Sequence, residues 1–403
     1  MKIAAVSRLA SIGALALILS SCGSAEEGGS SEERLRIGYI ASLSGGTGAV
    51  GKEMQQGAEL AVEQINADGG IDGRQVELVS RDAKGDPAEG VAIVRELTSE
   101  GINLFTGLVS SGVALALPQT LQQTDSVIIT TAAGDDKITG ENFSENVFRI
   151  SDNTYMRSVA SARFLRDRYP DVHRWANLSP DYAYGHAAWE RFDEAMKELD
   201  PEYEVVASQF PQFGAPDFRN DISVIVNAKP QGLFMALYSS DAITMAKQAE
   251  AYELFDKVEV AYNTSNEGDI SDGWGENAHT EWGATHYLPE AFDNQMSKDF
   301  VEAFQAKFAE GPNGYNSESY TAMYAYKQAI EDAGSTDTSD VIESLEGLKM
   351  DSVTGQREIR AEDHQTIKDI GFVLFDADPN SERGWKITDT QVFPGKEVMP
   401  PIE

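Results

Sequence analysis

Ser110-Ser111-Gly112 follows a short apolar run and opens an amphipathic one, so it stands where a strand hands over to a helix. A serine in that place caps the helix, and the backbone N–H groups and positive dipole end beside it can receive an anion such as a carboxylate. Ala132-Ala133-Gly134 follows the next apolar run. Residues this small let backbone C=O and N–H groups reach a bound molecule directly. The chemistry implied is capture rather than turnover. The five histidines, His173, His186, His279, His286 and His364, form no H-x-H or H-E-x-x-H pair, so no zinc site is expected. No G-x-S-x-G nucleophile elbow and no D-x-[DN]-x-[DN]-G calcium loop occurs. Gly46-x-Gly48-x-x-Gly51 matches the dinucleotide fingerprint, but Gly46 comes late after its strand and the candidate ribose acid, Asp82, lies about ten residues too far on. We expect no metal, no cofactor and no enzyme.

Capture of this kind needs strands that end at a common edge. Alternating patterns predict strands over 36–43, 75–81, 103–106 and 127–131, with helices over 52–67, 87–100 and 112–123 between them. A β-α-β order of this kind implies a parallel sheet covered on both faces. A second series follows, with strands over 175–178, 203–209, 232–236, 258–261 and 282–288 and helices over 185–198, 218–228 and 241–254. The stretch 295–333 is mostly helical, broken at Gly311-Pro312-Asn313-Gly314, and is followed by a helix over 340–348 and late strands over 373–375 and 385–389. Tyr315, Tyr320, Met323, Tyr324 and Tyr326 make an aromatic stripe at helical spacing, which reads as a face packed on the first sheet.

With 403 residues and 41% hydrophobic content, the chain is long enough for two domains with true cores. The net charge of −34, spread along the chain, repels nucleic acid and anionic lipid surfaces and reads as a solubilising coat. Cys22 is the one cysteine, so no intrachain disulfide forms. Lys2 and Arg8 precede a mostly apolar run over 9–19, too short for a bilayer, which needs about 20 such residues. Leu19-Ser20-Ser21-Cys22 then resembles the lipobox of bacterial lipoproteins, which makes residues 1–22 a signal peptide and Cys22 the lipidated N-terminus. Residues 23–34, rich in Gly, Ser and Glu, read as a flexible tether. The expected location is extracytoplasmic, lipid-anchored to the cell membrane.

The run Ile37-Gly38-Tyr39-Ile40-Ala41-Ser42-Leu43-Ser44-Gly45, the segment Ile65-Asn66-Ala67-Asp68-Gly69-Gly70-Ile71-Asp72-Gly73, and Asp82 resemble the opening of the extracytoplasmic solute-binding proteins related to the leucine/isoleucine/valine-binding protein. The resemblance continues through Gly107 to Ala116, Ile129 to Ala133, Tyr184-Gly185 and Arg360 to Gln365, and so covers most of the chain after the signal. It implies an α/β fold of two Rossmann-like lobes with parallel central sheets joined by three crossovers, the Venus-flytrap of type I periplasmic binding proteins. On this sequence lobe 1 would be 35–149 plus 288–368 and lobe 2 would be 150–287 plus 369–403, with crossovers near Arg149, Tyr287 and Lys368.

The resemblance also implies a ligand site. Ser110 and Ser111 would bind a carboxylate, with backbone atoms of Ala132, Ala133 and Gly134 beside them. The family carries a threonine where Gly134 stands, so one polar contact is missing and amino-acid binding is less firmly implied. Tyr184 would reach across the cleft, its ring covering the ligand while its hydroxyl donates a hydrogen bond, and Tyr238 would be a second aromatic. Glu267 would pair with a ligand ammonium, with Asn263 and Thr264 as rivals for that role, and Val50 would line the side-chain pocket. The function implied is the substrate-binding lipoprotein of an ABC importer, a monomer that delivers a small amino acid or related carboxylate to permease subunits. Branched-chain or aromatic amino acids fit first; simple aromatic acids, amides and urea remain open. Two rivals are a ligand-sensing receptor domain of the same fold, which would call for a transmembrane helix after residue 403, and an extracytoplasmic amidase or other hydrolase, which would need a nucleophile–base pair.

Overall fold

The computed structural model describes residues 34–402, and the lipobox, Cys22 and all of the tether before Arg34 lie outside them. The first sheet contains β1 (Leu35–Ala41), β2 (Val76–Asp82), β3 (Leu104–Gly107), β4 (Val127–Thr130) and β5 (Val147–Arg149) in the order β2-β1-β3-β4-β5. Every pair in it is parallel. Parallel neighbours require crossovers, supplied here by the helices Gly48–Ala67, Pro87–Ser99 and Ser111–Ala116 with Pro118–Gln123. Apart from the half-buried edge strand β2, the strands are buried on both faces, and alternate residues enter different cores. Ile37, Tyr39, Leu104, Ile129 and Phe148 face one, and Ile40, Phe105, Ile128 and Val147 face the other. Gly51 is where the first helix crosses this sheet edge: a Cβ there would sit 1.8 Å from the Ser42 carbonyl oxygen, so only glycine fits. The fingerprint glycine thus serves close helix packing.

The second sheet contains β6 (Arg174–Leu178), β7 (Glu204–Gln209), β8 (Gly232–Met235), β9 (Val260–Asn263) and β10 (Glu281–Thr285), parallel throughout. After β10 the chain returns to the first core. The helices Gln295–Phe308, Gly314–Ala333 and Thr338–Leu345 and a small antiparallel sheet of β11 (Lys349–Ser352), β12 (Gly355–Ile359) and β13 (Thr366–Ile367) follow. Phe300, Phe304, Met323, Tyr326, Val341 and Ile359 pack there with the first sheet. The chain then adds β14 (Ile370–Ala377) and β15 (Trp385–Phe393) antiparallel to the second sheet, giving β15-β14-β10-β9-β8-β6-β7. Each lobe is therefore built from two separate stretches of chain.

Three differences from the sequence reading have local causes. The single helix expected over 112–123 is two short ones, because Pro118 has no N–H to continue the first. The short strands β5, β11, β12 and β13 were not expected; two to five residues give too little alternation to read. The helix Thr154–Arg168 was also not expected. Its buried residues include Thr154, Arg157, Ser158 and Ser161, so it carries no clean apolar stripe.

Candidate ligand-binding cleft

Both sheets end their parallel strands at one cavity. Ser111 follows β3, Ala132 and Gly134 follow β4, and Asp152, Asn153 and Thr154 follow β5. From the other lobe come Tyr182 and Tyr184 after β6, Tyr238 after β8, Thr264 and Ser265 after β9, and His286 after β10. Parallel α/β sheets place ligand sites at this carboxyl edge. The cavity measures about 50 Å³, room for about four waters at ~10–15 Å³ each. Leu108 and Ser239, just past β3 and β8, take left-handed backbone angles (φ 74° and 52°), a cost that ligand clamps often carry.

The polar equipment of the walls is hydroxyls and backbone N–H groups. Ser110 is the helix cap, accepting from the Val113 N–H at 3.4 Å. Ser111 Oγ accepts the Asp135 N–H at 3.2 Å, which leaves its own proton to donate. The helices Ala183–Leu199 and Ser239–Ala249 begin at Tyr182 and Tyr238, neither of which caps with its side chain, so their first N–H groups stay open beside the cavity. The Tyr182 hydroxyl donates to Tyr238 at 2.9 Å, and the Tyr184 hydroxyl lies 2.7 Å from Thr264 Oγ1 and 2.6 Å from Ser265 Oγ. The rings of Tyr184 and Tyr238 meet edge to face at 6.0 Å. Gly134 faces this wall from the opposite lobe: a Cβ there would stand 3.5 Å from the Tyr184 ring.

Beneath the cavity lies a buried ionic floor. Asp152 accepts from Arg157 Nε at 2.6 Å and Nη2 at 3.0 Å, and lies 2.8 Å from His286 Nδ1 and 3.3 Å from Lys368 Nζ. Glu318 pairs with Arg357 Nη1 at 2.5 Å and Lys368 Nζ at 3.0 Å. Burial pushes both carboxyls up, but Arg157 and Lys368 hold Asp152 well below the usual range, and Arg357 and Lys368 hold Glu318 below it. Arg157 is itself raised: burial lowers it, and Asp152 more than offsets that. Lys368 Nζ also donates to the His286 carbonyl at 3.1 Å, so the floor ties together the segments that pass between the lobes.

A sequence profile of periplasmic binding proteins matches residues 34–379. The chain belongs to the periplasmic binding protein family. It is 27% identical over 313 residues to a Leu/Ile/Val-binding protein homologue of Brucella melitensis, covering 76% of this chain and 82% of that one. Its fold matches, at TM-score 0.80 and 21% identity, a solute-binding protein of an ABC transporter from Rhodopseudomonas palustris BisB5 in complex with 3,4-dihydroxybenzoic acid, covering 90% of this chain and 98% of that one. It also matches, at TM-score 0.79 and 21% identity, a branched-chain amino acid transporter substrate-binding protein from Streptococcus pneumoniae in complex with isoleucine, covering 90% and 100%. The fold is that of type I periplasmic binding proteins of ABC transporters, whose members are solute-binding proteins that act outside the cytoplasm.

Of the residues singled out from sequence, Ser111, Ala132, Gly134, Tyr184, Tyr238 and Thr264 line the cavity. The others are placed elsewhere. Val50 points into the first core at 1% exposure, because it lies on the inner face of its helix. Ala133 packs in the core on the far side of the first sheet, alternating away from Ala132. Ser110 is spent on its cap. Asn263 Oδ1 accepts the Ser265 N–H at 3.1 Å and holds the loop. Glu267 sits behind the cavity wall, accepting from the His286 N–H at 2.8 Å and from the Thr285 hydroxyl. Sequence reasoning missed Asp152, Arg157 and Tyr182, and left His286 and Tyr315 as solitary or core residues. The Asp152-Asn153-Thr154 turn was the available signal, since Asn153 caps a helix by accepting from the Met156 N–H at 2.8 Å.

Glu267 also borders a second cavity of about 480 Å³, with Glu53, Asp269, Asp272 and Glu310 around it. Burial first, then Glu267 and Glu310, push Glu53 up to about 7 against a hydrogen bond from Asn313. Burial, Glu53 and Glu267 raise Asp269 well above its ordinary value. Among the described residues no group of three His, Cys, Asp or Glu side chains is arranged to hold a metal ion.

Proposed function

We propose that this chain is the substrate-binding component of an ABC importer, held to the membrane through a lipid on Cys22, that captures an amino acid or related small carboxylate in the inter-lobe cavity and presents it to the permease. The observation that carries this reading is a single cavity walled by strand ends of both sheets, with Ser111 and open helix N–H groups on its surface. The names of the relatives agree with it: one concerns leucine, isoleucine and valine, and another structure holds an aromatic acid. A ligand touching both lobes favours the closed arrangement by the contacts it gains there, and the permease would read that arrangement. The Tyr wall would cover the ligand's apolar body, and Ser111 would donate to its carboxylate.

Thermal-shift and calorimetric screening against amino acids and small carboxylates tests this. A ligand at about 100-fold its Kd adds about 2.7 kcal/mol to stability by mass action. Ser111→Ala should weaken binding of the hit about ten- to hundredfold, as loss of a hydrogen bond to a charged group costs about 1.5–3 kcal/mol. Tyr184→Ala should weaken it by removing the ring that covers the ligand, while also lowering the unliganded melting temperature because the Tyr184 hydroxyl bonds Thr264 and Ser265. Full affinity in both variants would place the ligand somewhere other than this cavity.

A further inference from the structure

Building on the carboxylate reading above, we propose that the cavity takes a carboxylate that carries no ammonium group beside it. An ammonium brings three N–H donors and must find acceptors when it leaves water. The charged and amide acceptors around this cavity are already engaged, which leaves hydroxyl oxygens as the main acceptors for an ammonium. Asp152, the one carboxylate among the lining residues, receives two nitrogens of Arg157 at 2.6 and 3.0 Å and stands 3.3 Å from Lys368 Nζ. The Thr264 carbonyl receives Arg157 Nη1 at 2.6 Å. Asn153 Oδ1 receives the Met156 N–H at 2.8 Å. Glu267, the residue the sequence offers for an ammonium, is turned to the His286 N–H and the Thr285 hydroxyl, and Arg157 Nη1 stands 3.9 Å from it.

The Arg157 guanidinium therefore fills the place an ammonium would need, with the same charge and the same acceptors. An amine entering the cavity meets a cation and an acid already engaged by that cation. A carboxylate meets donors: the Ser111 proton and the uncapped helix starts at Tyr182 and Tyr238. The tyrosine wall suits a flat or branched hydrocarbon body on that carboxylate.

Matched pairs separate the alternatives. Isothermal titration of the purified protein would compare leucine with 4-methyl-2-oxopentanoate, and phenylalanine with 3-phenylpropanoate, adding benzoate as a ring without a spacer. The expected result is binding at least tenfold tighter for the acid lacking the amine in each pair that binds. Equal or tighter binding of the amino acids would overturn this inference and leave the carboxylate reading standing. Failure of every compound to bind, with thermal shifts as the second readout, would overturn the carboxylate reading and this inference with it.

Discussion

Asp152 and Glu318 beneath the cleft, and Glu53 and Asp269 in the neighbouring cavity, are all carboxylates drawn away from water, but only the first two have cations against them. Burial raises a carboxyl in both places. Under the cleft, Arg157, Lys368 and Arg357 outweigh it, and the acids stay charged. In the other cavity the neighbours are further acids, while Arg383 at its edge gives Nε and Nη2 to Asp272 at 2.7 Å each. The difference is one of assignment rather than depth. Three acids (Asp152, Glu267, Glu318) meet three fixed cations (Arg157, Arg357, Lys368) in the floor, so its charges close on themselves. A floor so balanced can hold the lobe crossings rigidly and still leave the donors above it for a ligand.

The largest test of that comparison removes one cation. Arg157→Met leaves Asp152 and the Thr264 carbonyl without their donor, and breaking a buried pair from one side costs about 3–5 kcal/mol. Urea denaturation should show that loss; a cost below about 1 kcal/mol would mean the pairing does little for stability. A smaller effect separates the two groups by pH. Asp152 and Glu318 have folded-state pKa values below their ordinary 3.8 and 4.5, so the stability they add is present above those values and drains away as the medium turns acid. Glu53 behaves oppositely. Its folded-state value near 7 exceeds its ordinary 4.5, so between those limits the folded chain keeps a proton the unfolded chain has released. Stability should fall as pH rises through that window. Glu53→Gln should flatten the fall and add about 1–3 kcal/mol at pH 8, with little change at pH 4.5. Denaturation midpoints at both pH values measure it, and an unchanged slope would assign the titration elsewhere.

The cleft wall was easier to read in the sequence than its floor. Ser111, Ala132, Gly134, Tyr184 and Tyr238 all sit two to six residues past a strand, so alternating strands and helices bring them to one edge. Within that pattern single steps were misjudged: Ala133 alternates away from Ala132, and Val50 lies on the core side of its helix. The floor obeys no local pattern. Arg157 is buried on a helix without an apolar stripe, and it is buried because Thr264, 107 residues on, and His286, 129 residues on, receive it. Periodicity treats an arginine as an outside position, so it offered no reason to bring Arg157 to the site. Glu267 failed in a related way. Its place after β9 was legible, but not the Thr285 hydroxyl and His286 N–H that turn it from the cavity.

The smallest expected effect asks whether the acids of the second cavity feel one another or only their burial. Asp269 stands in the first turn of the helix Asp269–Trp274, where the dipole favours its charge by about 0.3–1 kcal/mol. Its Oδ1 is nonetheless buried with no hydrogen-bond partner among the described residues, and Glu53 and Glu267 oppose its charge. Asp269→Asn loses the dipole gain and the repulsion together, so at pH 8 it should stabilise by less than about 1 kcal/mol. In a Glu53→Gln background the repulsion is already reduced, and the same substitution should then be neutral or mildly destabilising. A double-mutant cycle that closes with a coupling near 0.5–1 kcal/mol identifies mutual repulsion as the cause. Strict additivity would leave burial alone as the reason these carboxyls are raised, and the contrast with the cation-paired floor would become one of solvation instead of charge.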